Sequence, residues 1–98
     1  MSAIFSRTVT PHSGHFDENL QFARKRLAAI KKYTGQDVEL HVRMGGPAGQ
    51  VLMFSTHDSV ADIEAMRRKI MEGVASGDIP QPESGMAAHV EDAIWLKT

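Results

Sequence analysis

Residues His41–Phe54, HVRMGGPAGQVLMF, set three glycines and a proline between two runs of different character. Read as a phosphate cradle, the glycines would make this a nucleotide-binding chain; read as a bend, they join two strands. A phosphate loop leads from a strand into a helix, so that the first free N–H groups of the helix point at the anion. Beyond Gly49 and Gln50 the chain runs VLMF, apolar and strand-like, with no Gly-Lys-Ser/Thr ending. The stretch is a hairpin connection. Its glycines supply positive φ and Pro47 stiffens it.

The hairpin orders its flanks. Before it, Val38, Leu40, Val42 and Met44 alternate with Glu39, His41 and Arg43, the period of a strand with one apolar and one polar side. After it, Val51–Phe54 is apolar on both faces, as a central strand is. A five-residue GGPAG loop would set Met44 opposite Gln50. Val42 would then pair with Leu52 and Leu40 with Phe54 on one face, the floor under the helices. Arg43 would pair with Val51, His41 with Met53 and Glu39 with Ser55 on the other, with His57 nearby.

Upstream, Ala3–Thr10 is rich in β-branched and aromatic residues and stops at Pro11, which predicts a strand. From Phe16 the period changes: Phe16, Leu20, Ala23, Leu27 and Ile30 form a helical stripe that Gly35 ends. Asp17 and Glu18 near its start and lysines near its end suit the helix dipole. Downstream, Ser59 and Asp62 make a variant capping box ahead of a second stripe, Ile63, Met66, Ile70 and Val74, closed by Gly77. A long Pro- and Gly-containing connection, Asp78–Ala88, has the length of a lid or a dimer arm. The second half of HVEDAIWLKT reads as a last strand. The order β-α-β-β-α-β predicts an α+β, ferredoxin-like fold: one antiparallel sheet with both helices on one face.

The 98 residues make one domain, 1–98. Eleven basic against twelve acidic side chains give a net charge of −1, which offers no general attraction to nucleic acid or to an anionic membrane. Without cysteine, disulfides, thiolate catalysis and cysteine zinc sites are excluded. The N-terminal apolar run is too short for a signal-peptide core, so a cytoplasmic location is expected. The runs Arg24–Arg26 and Arg67–Lys69 read as solvated helix faces.

With both helices on one face, the other lacks cover. Phe5 or Ile4, and Ala93/Trp95 or Ile94/Leu96, must add apolar surface to it. Exposed patches of that kind mark interfaces or ligand grooves, and a second copy related by two-fold symmetry is the simplest cover. A homodimer joined through the uncovered sheet face is expected.

In element order, in the helix FDENLQFARKRLAAIKKY, in the hairpin MGGPAG and in the terminal strand AIWLK, the chain resembles the dimeric α/β-barrel superfamily. That group includes antibiotic-biosynthesis monooxygenase-like, haem-degrading, stress-responsive and NIPSNAP-like proteins. The resemblance implies paired sheets forming a barrel with a cavity in each half, and a small apolar or aromatic ligand there or between sheet and helices. The haem-degrading branch uses an asparagine, a tryptophan and a histidine around its cofactor. Asn19 and Trp95 do not match those positions, so no cofactor is expected.

For chemistry, His41, Arg43 and His57 are the candidate catalytic residues. An imidazole could move a proton while Arg43 holds an anion, enough for a cofactor-free monooxygenase or cyclase. Glu39, His41, Arg43, Met53, Ser55, His57 and Trp95 are the candidate ligand-binding residues. The alternative is that they serve only assembly. His12 and His15, followed by Asp17 and Glu18, are of metal-binding type, but polar residues gather at a helix start as caps. No metal is expected.

Overall fold

A computed structural model describes residues 2–46, 49–82 and 85–98. The elements are β1 (Ala3–Pro11), α1 (Phe16–Thr34), β2 (Glu39–Val42), β3 (Val51–His57), α2 (Val60–Ser76) and β4 (Ala87–Leu96). The strands form one antiparallel sheet in the order β2-β3-β1-β4. Its extents, 38 × 36 × 17 Å, are those of a two-layer slab, with both helices on one side of the sheet.

Each helix ends where local chemistry dictates. At the start of α2 the Ser59 hydroxyl accepts a hydrogen bond from the Asp62 N–H at 3.2 Å. Gly35 and Gly77 come after the last turns at φ 78° and 85°, a left-handed conformation open to glycine at little cost. The core lies between helices and sheet, with Ala23 and Ile30 from α1, Ile63 and Met66 from α2, and Ala3 and Val51 from the strands. Ile79, just past α2, is 1% exposed. It sits where Gly73 has no side chain; a Cβ there would stand 2.5 Å from the Ile79 Cδ1.

The hairpin register differs from expectation by one residue. Val42 pairs with Val51, His41 with Leu52, Leu40 with Met53 and Glu39 with Phe54, and Arg43 N–H donates to the Gln50 carbonyl. The turn between Arg43 and Gln50 therefore holds six residues, not five; Pro47 and Ala48 in it lie outside the described residues. Because strand side chains alternate, this single step exchanges the two faces of β3. Val51, Met53, Ser55 and His57 lie toward the helices. Leu52, Phe54 and Thr56 lie on the open side with Glu39 and His41. The pairing of β1 with β3 and β4 fixes the faces of the remaining strands: Ile4, Ala93 and Trp95 are on the open side, Phe5, Ile94 and Leu96 on the helix side.

Two extents also differ. β4 takes in all ten residues from Ala87 rather than only the end of that segment, because β1 continues to Pro11 and pairs along it, with an irregularity at Thr10/Pro11. The arginine runs are not wholly solvated. Arg26 reaches the Pro80 carbonyl, and Arg67 lies over the Phe5 ring of the sheet.

Candidate functional site

In β1 the alternation that turns Phe5 and Val9 toward the helices also turns Arg7 inward. Its cross-strand neighbour on β4 is Asp92. The two make a bidentate pair, Nε to Oδ1 at 2.7 Å and Nη2 to Oδ2 at 2.9 Å. The hydrogen bonds hold the Asp92 carboxyl below its ordinary range and raise Arg7. From α2, Arg67 comes within 3.8 Å of the same carboxylate, its guanidinium 5.1 Å from the centre of the Phe5 ring. From α1, Arg26 donates to the Pro80 carbonyl at 3.0 Å. Burial, and then the charge of Arg7, lower the Arg26 pKa: a cation is costly where it sits.

Two clefts meet at these guanidinium groups. One, of about 240 Å³, has Val9, Phe22, Ala23 and Val51 among its walls, with Pro82, Gly85 and Met86 along its border. The other, of about 250 Å³, is bounded by Phe5, Leu27, Ile30, Met66, Ile70 and Ser55, among others. Arg7, Arg26 and Met53 line both. Met86 is tied to α1 by Asn19, which is 8% exposed and donates through Nδ2 to the carbonyls of His15 (2.8 Å) and Met86 (2.7 Å). Met86 thus anchors the connection on its own protomer. Glu83 and Ser84 lie outside the described residues.

Beyond Met66, the Ser55 hydroxyl and His57 Nε2 are 2.6 Å apart, both side chains buried. Desolvation lowers the His57 pKa from 6.5, against the weaker pull of Asp62 and Asp58. The folded state therefore keeps this imidazole neutral to lower pH than the unfolded chain, which takes up a proton as pH falls through about 6.5. Proton uptake by the unfolded state reduces stability. Stability measured by urea denaturation should therefore fall as pH is lowered from 7.5 to 5.5, and His57→Gln should flatten that decline. An equal slope in the variant would show that His57 is not its source.

The expected site residues divide between the two faces. Met53 and Ser55 border the clefts, and His57 reaches them through Ser55. Glu39, His41 and Trp95 are on the open side: the His41 ring stacks on Phe54 at 5.1 Å, and the Trp95 indole donates to Ser6 Oγ at 2.9 Å. Arg43 Nη1 donates to Gln50 Oε1 at 2.8 Å, and its Nε to the Gly45 carbonyl. Gln50 in turn donates to Thr10 Oγ1. The sheet separates His57 from His41 and Arg43, so the three do not form one site. Arg7, Asn19, Arg26, Arg67 and Asp92 were not anticipated. The period of β1 alone gives the signal for Arg7, since it shares a face with Phe5 and Val9. His15 pairs with Glu18 at 3.2 Å, and among the described residues no group of three metal-ligating side chains comes together. No helix among them is long and apolar enough to cross a membrane.

No protein-family model matches the chain, and no curated protein matches it. Solved structures do. A NIPSNAP family protein of Agrobacterium tumefaciens shares 19% identity at a TM-score of 0.71, over 100% of this chain and 94% of its own. An uncharacterized NIPSNAP domain protein of Burkholderia xenovorans gives 15% and 0.79, over 98% and 94%. A variant of SnoaB, a cofactor-independent oxygenase of Streptomyces nogalater, gives 10% and 0.60, over 98% and 92%. At these identities the likeness establishes fold and not activity. With its ferredoxin-like βαββαβ topology, the chain shares the fold of these NIPSNAP and oxygenase structures.

Proposed function

We propose that this protein binds a small, largely apolar molecule between its sheet and helices and acts as a homodimer joined through the open sheet face. The pair of clefts carries the first part. Their walls are mostly aliphatic and aromatic, with a few convergent polar groups, as in small-molecule sites. A buried asparagine holds Met86, at the border of one of them, to α1. For the second part, the open side exposes Trp95 at 60% and carries Ile4, Leu52 and Phe54 half-buried. A second sheet would cover them, as the fold of the superfamily implies. An oxygenase or cyclase with His57 as base and Arg43 as anion partner draws no support from the geometry, because the sheet lies between them; His41, the other candidate base, shares the open side with Arg43.

The ligand reading is tested by filling the first cleft. Ala23 is 4% exposed and lines it. Ala23→Leu should abolish the fluorescence gain of the neutral apolar probe N-phenyl-naphthylamine while keeping the melting temperature within a few degrees, since the added atoms enter empty space. No probe binding by the parent protein, or a collapse of stability in the variant as in a close-packed core, would refute it.

A further inference from the structure

We infer that the helix-side cleft is selective for an anionic amphiphile, a short aliphatic carboxylate whose head group rests between Arg26 and Arg7. This deepens the proposal of an apolar ligand between sheet and helices, and rests on it. Charge count is the first support. Arg7, Arg26 and Arg67 converge on this region, and Asp92 is the one carboxylate paired with any of them among the described residues. The chain as a whole is slightly acidic, so the local cationic surplus is not a general property of its surface.

The state of Arg26 is the second support. A guanidinium does not shed its proton to relieve burial, as a lysine can. Arg26 is half-buried, beside another guanidinium, and its hydrogen bond goes to a neutral carbonyl. An anion placed against it would offset the repulsion from Arg7, which Asp92 already engages from the β4 side. Among the described residues Arg26 gives one N–H to the Pro80 carbonyl, which leaves its other donors for a carboxylate.

Shape is the third. The guanidinium groups of Arg7 and Arg26 stand where the two clefts adjoin, so a head group held there has aliphatic walls on either hand. A cleft of about 240 Å³ would be filled by about eight waters at liquid density, and so by a chain of similar atom count. Octanoate, with part of its tail in the adjoining cleft, meets that description. Its uncharged counterpart, octanol, does not satisfy the cation.

Titration calorimetry with octanoate and with octanol, on the parent protein and on Arg26→Gln, tests the inference. The parent should bind octanoate about tenfold or more tightly than octanol, as one charge-assisted contact in a partly desolvated site warrants. Arg26→Gln should erase that preference and leave octanol binding unchanged; Arg43→Gln, on the opposite face, should leave both unchanged. Equal affinity for the two ligands in the parent would overturn the carboxylate assignment while sparing the apolar cleft. Failure of both ligands to bind would remove the cleft reading itself. Loss of the preference in Arg43→Gln would move the anion to the open face and refute the site. The parent comparison alone decides the matter if Arg26→Gln fails to fold.

Discussion

Ile63→Ala should destabilise the protein by about 3–4 kcal/mol, lowering the melting temperature by roughly 15–25 °C for a domain of this size. Ile63 is fully buried, at 0% exposure, in the first turn of α2. Removing three carbons costs their transfer from water plus the cavity they leave, and the cavity term is large where neighbours cannot close in. Its surroundings are not free to do so, since α2 is pinned at one end by the Ser59 cap and at the other by Ile79 against Gly73. Met71, on the same helix, is 71% exposed, and Met71→Ala should change stability by less than about 0.5 kcal/mol. Chemical denaturation of both variants measures the contrast. Equal effects at the two positions would mean that α2 docks with a different face toward the sheet.

The burial of Ile63 was legible in the sequence, because the stripe Ile63, Met66, Ile70 obeys a helical period and no strand fits it. The element order was legible for the same reason: each change of element is marked, by Pro11, by Gly35, by the glycine hairpin, by Ser59 or by Gly77. The hairpin register was not. Val51, Leu52, Met53 and Phe54 are all apolar, so either face of β3 satisfies a core, and the pattern cannot choose between an odd and an even turn. The choice falls to contacts across the turn, among them the bond from Arg43 N–H to the Gln50 carbonyl. One residue of parity then decided which side of the sheet His57 occupies.

The candidate site was legible only in part, and the reason is separation along the chain. Arg7 and Asp92 are 85 residues apart, and their pairing depends on the β1–β4 register. Arg26 reads as one more cation in a basic run until Pro80 is brought beside it. Asn19 looks like a solvated helix residue, yet its amide is satisfied by the Met86 carbonyl. Local period places a side chain on a face; whether a charge on that face is neutralised depends on strands that meet only after folding.

Phe54→Asp should convert the proposed dimer, of twice 10.8 kDa, into a monomer, with the dimer dissociation constant rising at least about a thousandfold. Phe54 is in β3 on the open side, opposite Ser6 of the central strand, with the Trp95 indole bonded to that serine and His41 stacked on Phe54 itself. It thus belongs to the apolar cluster that a facing sheet would cover. A carboxylate in that position would have to lose its hydration without a designed partner, on both subunits at once because a two-fold interface repeats every change. In the separated protomer the same carboxylate meets water on the open side, so folding is spared and circular dichroism should match the parent. The control is Met71→Asp, an equal charge on the exposed helix side, which should leave the dimer intact. Sedimentation equilibrium at micromolar concentration reads all three. A parent protein that sediments at 10.8 kDa there would show that the open face needs no partner, and a dimeric Phe54→Asp would show that the subunits meet elsewhere, with the solvent-exposed Val90, Ile94 and Leu96 on the helix side of the edge strand β4 as the next surface to test.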